Sequence, residues 1–440
     1  MRTYKLTEET KNELLGNLLN RNPGSYTEYE KIVSDIIENV KVKGDEALFE
    51  YTLNFDKCNI TADTIKVTED EIKEAYSKLD AEFIEVLKKS ANNIRKFHEK
   101  QLRNTWIETK PDGSILGQRI LPVEISGVYV PGGKAAYPSS VLMNVVPAKV
   151  AGVERIIMCT PPSKEGSVNA GTLVAADIAG VTEVYKVGGA QAIAAMAFGT
   201  ASVPKVDKIT GPGNIFVALA KKACFGHVSI DSIAGPSEIL VLCDETANPR
   251  YVAADLLSQA EHDEMASAIL ITTSEELAKD VEKEIYGFLQ TLERADIIRK
   301  SLDNYGYIFI ADNMKDAIDA ANAVASEHLE IITENPFETM TKIKNAGAIF
   351  LGDYSSEPLG DYYAGPNHIL PTNRTARFFS PLSVDDFIKK TSIISYSRDA
   401  LYKAHKDIEL FAKREGLTAH ANSIAVRFEN DQIDQYDYLL

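Results

Sequence analysis

Beyond residue 130 the chain keeps one rhythm: a short apolar run, a segment with helical spacing, then another short apolar run. Arg155–Thr160, Glu183–Val187, Lys208–Thr210 and Glu238–Cys243 are such runs, with small-residue helical segments such as Gly171–Ala179 and Gln191–Ala197 between them. Strands separated by helices are joined by crossovers rather than hairpins, which makes them parallel. The rhythm resumes after Cys243 in Ala268–Thr272, Tyr307–Ala311, Leu329–Thr333 and Ala348–Leu351. The expected fold class is therefore α/β, with two parallel-sheet units. A length of 440 residues also exceeds what one simple core holds.

The first hundred residues read differently. Ile72, Ala75, Tyr76, Leu79, Phe83, Val86, Leu87, Ile94 and Phe97 recur at helical spacing. Gly44 and Asp45 interrupt an earlier stripe of Ile32, Val33, Ile36, Ile37 and Val40. These helices are expected to pack onto one of the sheets. A β-like run, Ser114 to Val130, ends in Pro-Gly-Gly. Asp353 to Thr375 is rich in Gly, Pro, Asp and Asn without a period, and a long irregular stretch of this kind is usually functional or a linker. Ser397 to Gly416 is helical again.

Formal charge is 47 minus 64, or −17. That excludes a nucleic-acid backbone as the natural partner. It does not exclude a dinucleotide, whose pyrophosphate is bound by backbone N–H groups at a helix start. Cys58, Cys159, Cys224 and Cys243 form no C-x-x-C pair and read as reduced thiols. MRTYKLTEETKNELL has no apolar signal-peptide core, and no apolar stretch is long enough for a membrane span. The expected setting is the cytoplasm, with no membrane.

Three loops place glycine for close backbone approach: Val130-Pro131-Gly132-Gly133, Val187-Gly188-Gly189-Ala190-Gln191 and Thr210-Gly211-Pro212-Gly213-Asn214. Each follows a predicted strand, and the second and third lead directly into a helix. Backbone N–H groups meet phosphates in this geometry. None matches G-x-G-x-x-G, and any single one is more often only a tight turn. Three in one α/β unit favour an anion or cofactor site. Gln191 and Asn214 carry amides at helix starts, where a polar cap is the plainer explanation.

Of the seven histidines, His98 and His405 lie in charged helical stretches and are expected to be solvated, while His227 sits in a turn. The other four have richer settings. His262 follows Gln259 by three positions, so a helix gives them one face. His328 follows Glu327 where a helix meets a strand. His368 and Asp361 share the irregular stretch, and His420 lies past the last helix. No pair has a self-evident zinc spacing such as H-E-x-x-H. Imidazole and carboxylate nonetheless suit zinc, with a glutamine amide a rarer addition.

The segments GVYVPGGKAAYPSSVLMNVVPAKVAGV, KVGGAQAIAAMAFGT, KITGPGN, IDSIAGPSEILVL, DLLSQAEHDEMASAILIT, SEHLEI, GDYYAGPNHILPT and EGLTAHANSI, in order from Gly127 to Ile424, resemble those of the histidinol dehydrogenase family. The resemblance implies zinc-dependent, two-step NAD-linked oxidation of L-histidinol through L-histidinal to L-histidine. It implies one Zn2+ per subunit, held by Gln259, His262, Asp361 and His420. Histidinol would meet the same four groups and His328, with Ser237, His368 and Glu415 fixing it. Glu327 and His328 would be the acid–base pair, and Tyr129, Gln191 and Asn214 would contact NAD. It further implies a homodimer whose C-terminal segment is exchanged, so that Glu415 and His420 serve the neighbour's site.

Rhythm and resemblance together give an expected architecture of two Rossmann-like parallel-sheet domains with helical N-terminal and C-terminal extensions. The expected bounds are 1–26 for the first extension and 129–237 for the NAD-binding domain. Residues 27–128 plus 238–382 would carry the metal and acid–base groups, and 383–440 the C-terminal extension. A zinc hydrolase would use the same ligands but has no need of three Gly-rich loops. A non-catalytic metabolite-binding protein would leave Glu327 and His328 idle.

Overall fold

The computed structural model describes residues 1–21, 26–132, 137–233 and 235–429. The chain divides into two compact units, Met1–Leu102 with Pro122–Phe387, and Arg103–Leu121 with the chain from Ile388 onward. In chain order the strands begin with β1 (Arg2–Lys5), β2 (Trp106–Thr109) and β3 (Ile115–Pro122). Next come β4 (Ile125–Tyr129), β5 (Arg155–Cys159), β6 (Glu183–Tyr185), β7 (Lys208–Thr210) and β8 (Ser229–Ile230). Then follow β9 (Glu238–Cys243), β10 (Ser267–Thr272), β11 (Gly306–Ile310), β12 (His328–Ile332), β13 (Ala348–Leu351) and β14 (Ile388–Ser395).

The first unit holds two parallel sheets. Five strands lie in the order β6-β5-β4-β7-β8, and six in the order β1-β11-β10-β9-β12-β13. Counted from β4 and from β9, both sheets follow the 3-2-1-4-5 order of a doubly wound fold, with β1 added to the larger sheet's edge. β9 and β10, EILVLC and SAILIT, are buried at every position. A parallel strand covered by helices on both faces has no solvent side to alternate toward.

The N-terminal segments divide between the sheets. Val33, Ile36, Ile37 and Val40 of the helix Thr27–Lys43 share a core with Ala192 and Met196 beside the five-stranded sheet. Residues 27–56, grouped on sequence with the later sheet, thus pack on the earlier one. Leu14 and Leu18 of the helix Glu8–Asn20 pack instead with Leu240, Ile269 and Phe309 of the six-stranded sheet. The β-like run Ser114–Val130 is two strands in two different sheets, divided after Pro122.

In the second unit β14, β3 and β2 form a small sheet, with β2 and β3 antiparallel. The helix Arg398–Arg414 ends at Gly416, whose φ is +75°. There Gly416 N–H donates to Lys413 O and Leu417 N–H to Ala412 O, a Schellman turn that leads into the helix Thr418–Ala425.

His98 corrects one expectation. It is buried, not solvated, because it continues the buried stripe of Leu87, Ala91 and Ile94 in the helix Ala81–Glu99. Its Nδ1 lies 2.7 Å from Gln101 Oε1. His405 is half-buried against the rings of Tyr402 and Phe428. All four cysteines are buried and unpaired. Among the described residues no helix is long and apolar enough to cross a membrane.

Candidate active site

β9 and β12 run side by side, and their amino ends present Ser237, Glu238, Glu327 and His328. On the other side of β12 the approach of β13 is tight: a Cβ on Gly347, just before β13, would meet the Glu327 carbonyl oxygen at 2.5 Å. That same oxygen accepts from Ala348 N–H at 2.9 Å. Beneath the edge, the buried Glu238 carboxylate pairs with the buried guanidinium of Arg21, which also donates to Met265 O at 3.1 Å. The end of the N-terminal helix therefore anchors the strand whose backbone meets Glu327 and His328.

His328 Nδ1 lies 3.0 Å from the backbone carbonyl oxygen of Glu238. A carbonyl only accepts, so Nδ1 carries the hydrogen and the neutral ring keeps its lone pair on Nε2. Nε2 is buried without a hydrogen-bond partner and lies 3.8 Å from Asp361 Oδ1. Glu327 Oε2 accepts from Glu238 N–H at 2.9 Å and lies 3.8 Å from His328 Nδ1. Burial opposes charge on His328, but the carboxylates of Glu327, Asp361 and Glu357 outweigh it and raise the ring to about 10. Burial likewise pushes Glu327 up to about 8, against the pull of His328. For Asp361 burial is overcome by His328 and His368, which hold it below the ordinary carboxylate range.

The helix Pro249–Ala260 delivers Gln259 in its last turn, and His262 follows with its N–H on Gln259 O. Asp361 comes from a short helix, Glu357–Leu359, that widens into a π-turn over Gly360–Ala364. Ser90 Oγ and Asn93 Nδ2 fix that turn by donating to Tyr362 O at 2.6 Å and Tyr363 O at 2.9 Å. His368 Nδ1 donates to Asp361 O at 3.1 Å. Ligand atoms of His262, Glu357 and Asp361 lie within 4.8 Å of one another, a spread that modest side-chain rotation closes onto one ion. Gln259 Oε1, fully buried, has no hydrogen-bond partner. An orphaned amide oxygen beside an imidazole and carboxylates fits a zinc ion.

Glu357 was missed on sequence. It is buried, accepts from Ser258 Oγ at 2.6 Å and lies 3.7 Å from His262 Nε2. Its position four residues before Asp361 on a helical segment is the signal that points to it. Ser237, Glu327 and His328 line one cavity of about 530 Å³ with Gln259, His262, Asp361 and His368. Glu415 and His420 belong to the second unit: Glu415 caps the helix Arg398–Arg414, and His420 is exposed on the helix that follows.

The Gly-rich loops lie at the carboxyl edge of the five-stranded sheet, after β4, β6 and β7. Gly133 of the first loop lies outside the described residues. Tyr129 Oη accepts from Gly189 N–H at 3.0 Å, tying the first loop to the second. Gly211 has φ +119°, and a Cβ there would meet Tyr129 O at 2.0 Å. The buried ion pair Lys221–Asp231 clamps it from below: Gly211 N–H donates to Asp231 Oδ2 at 2.8 Å, and Lys221 Nζ to Gly211 O at 2.9 Å. Asn214 caps the helix Ile215–Cys224. Tyr129, Gln191 and Asn214 line a second cavity of about 560 Å³, a size suited to a cofactor. Pro131, Gly132 and Asn214 line both cavities, so the two adjoin.

A model of the histidinol dehydrogenase family matches residues 19–428. The chain belongs to the histidinol dehydrogenase family. It is 56% identical to the histidinol dehydrogenase of Caldanaerobacter subterraneus over 97% of this chain and 99% of that one. With the histidinol dehydrogenase of Clostridium acetobutylicum it shares 59% identity, over 91% and 92% of the two chains. The crystal structure of histidinol dehydrogenase from Elizabethkingia anophelis superposes with a TM-score of 0.92 at 39% identity, covering 98% of this chain and 99% of that one. Family, α/β fold and dehydrogenase class thus agree with the resemblance read from the motifs.

Proposed function

We propose that this chain oxidises L-histidinol to L-histidine through L-histidinal, the last step of histidine biosynthesis, in the cytoplasm. It does so as a homodimer with exchanged C-terminal segments, with one Zn2+ per subunit and NAD as acceptor in both steps. The supporting observation is the orphaned Nε2 of His328, a buried base on the wall of a cavity that adjoins a second, cofactor-sized one.

Zn2+, held by Gln259, His262, Asp361 and the partner's His420, supplies an anchor for the substrate's imidazole and amine. NAD, lying against Tyr129, Gln191 and Asn214 in the unit spanning 129–237, supplies the two-electron acceptor. Ser237, His368 and the partner's Glu415 fix the remainder of histidinol. A cation held by Asp361 would remove one of the carboxylates that, after Glu327, raise His328, and so would shift the ring toward a neutral base. His328 Nε2 then takes the hydroxyl proton as the carbinol hydride leaves. Histidinal must add water before a second hydride leaves. Glu327, high in pKa because it is buried, takes a proton from that water while its Oε2 stays on Glu238 N–H. His328 meanwhile returns its proton to the former carbonyl oxygen, which completes the hydrate, and, neutral again, takes a hydroxyl proton as the second hydride leaves.

A thioester route has no nucleophile to use. Burial pushes Cys159 and Cys243 up to about 12 and Cys224 to about 11, and it raises Cys58 as well. The reading is tested by counting NADH formed per histidinol consumed, before and after chelation and zinc re-addition. Two NADH, lost on chelation and restored by zinc, is the expected result. One NADH, or indifference to chelation, contradicts it.

A further inference from the structure

The helix Asp45–Asp56 ends on a carboxylate, which the negative end of a helix dipole disfavours. One oxygen of Asp56, Oδ2, is buried and has no hydrogen-bond partner. The neighbouring Lys57 does not neutralise it, because its ammonium donates to Asn54 O at 2.7 Å. An acid kept at the wrong end of a helix with an unsatisfied oxygen breaks two local rules, and such breaches gather at binding sites. Asp56 lines the same cavity as Tyr129, Gln191 and Asn214. Gln191 Oε1, in a residue only 1% exposed, also lacks a partner there. Two residues with an unpartnered acceptor oxygen therefore stand in the cavity wall, and no Lys or Arg lines it among the described residues.

The cavity also has a direction. Asn214, Pro131 and Gly132 are shared with the cavity of His328, so the reacting end of a dinucleotide lies on that wall. The other nucleoside then falls against the apolar remainder, which includes Ile32, Ile36 and Phe55, beside Asp56. We propose that Asp56 accepts hydrogen bonds from the ribose hydroxyls of this distal nucleoside and thereby selects NAD over NADP. The inference rests on the reading of this cavity as the NAD site. A carboxylate meets a vicinal diol as an acceptor of O–H donors. It meets a 2′-phosphate as a second anion, with no cation beside it to offset the repulsion. Burial raises the Asp56 carboxyl to about 6, in keeping with a group that lacks a counter-charge.

The experiment is steady-state kinetics of the zinc-loaded enzyme with NAD, NADP and 2′-deoxy-NAD, on wild type, Asp56→Asn and Asp56→Ala. A hydrogen bond to a charged group is worth roughly ten- to a hundredfold in affinity. Wild type should therefore lose about tenfold or more in kcat/KM on removal of the 2′-hydroxyl, and more with NADP. Both variants should accept 2′-deoxy-NAD about as well as NAD and narrow the NAD-to-NADP gap by at least roughly tenfold. The unfolding temperature of Asp56→Asn should equal or exceed that of wild type, because a buried unpartnered anion is removed. Variants that fold and discriminate among the three cofactors as wild type does would overturn the proposal. A wild type with no dinucleotide signal at all would sink the cofactor reading, and this inference with it.

Discussion

The two sheets of the first unit share one strand order but use opposite edges. The five-stranded sheet works at its carboxyl edge, where βα turns present the starts of the helices Gly189–Phe198 and Ile215–Cys224. Helix starts are positive and rich in free N–H groups, which suits the pyrophosphate of a dinucleotide. The six-stranded sheet works at its amino edge, where the helix Pro249–Ala260 ends and β12 begins. Helix ends are negative, and here they meet Glu327, Glu357 and Asp361, none paired with Lys or Arg among the described residues. Such an edge suits a cation.

The unused amino edge of the smaller sheet sharpens the contrast. There Glu183, at the start of β6, is neutralised by Arg155 Nε at 2.7 Å and Lys66 Nζ at 3.0 Å. Asp207 Oδ2 accepts the N–H groups of Glu124 and Ile125, each at 3.0 Å. The same topological position is self-satisfied in one sheet and left charge-unbalanced in the other. Strand order alone therefore does not locate a site; the unsatisfied groups do.

If the edges are chemically separate, they should break separately. The largest expected effect is that of His262→Ala. It should lose zinc and cut turnover by roughly three orders of magnitude through lost positioning, while NAD binding, read by fluorescence quenching, changes by no more than about twofold. Next is Gly211→Ala, whose new Cβ collides with Tyr129 O. We expect a stability loss of roughly 3 kcal/mol and a raised KM for NAD, with zinc content per subunit unchanged by elemental analysis. Loss of zinc in Gly211→Ala would merge the two edges into one.

The smallest effect belongs to the closed edge. For Glu183 burial is outweighed by Arg155, Tyr185 and Lys66, which together lower its carboxyl to about 2. Its folded pKa lies below its unfolded one, so its stabilisation is present above the ordinary value of 4.5 and fades as pH falls toward 2. Glu183→Gln should cost about 1 kcal/mol or less at pH 7, given the solvent screening of a part-exposed network, and the difference should vanish in acid. Urea unfolding across pH checks it, and a difference that survived at low pH would reject the linkage.

Legibility in the sequence followed burial. Parallel strands such as β9 and β10 were plain because both faces are covered and the apolar run is continuous. β1, RTYK, escaped because it is a polar edge strand paired only with β11. His98 was hidden by its charged neighbours Lys96, Glu99 and Lys100, although its spacing from Ile94 and Ala91 belongs to the buried stripe. The candidate site residues rest on the family's motifs, not on spacing. The π-turn at Asp361 has no periodic signature, since its shape depends on Ser90 and Asn93, 270 or more positions away. Glu357 had only its spacing from Asp361 to mark it, and Asp56 could have been noticed only as a carboxylate whose surroundings the sequence does not show.

The central claim is that His328 Nε2 is the proton acceptor for oxidation, held in place by Glu238 and served by both edges. Rapid-mixing measurement of NADH formation by His328→Ala tests it most directly, with histidinol and, separately, histidinal as substrate. The account predicts that hydride transfer slows by roughly 10²–10⁴-fold in both half-reactions while zinc content and histidinol affinity are retained. Near-normal rates in either half-reaction, with zinc in place, would contradict it.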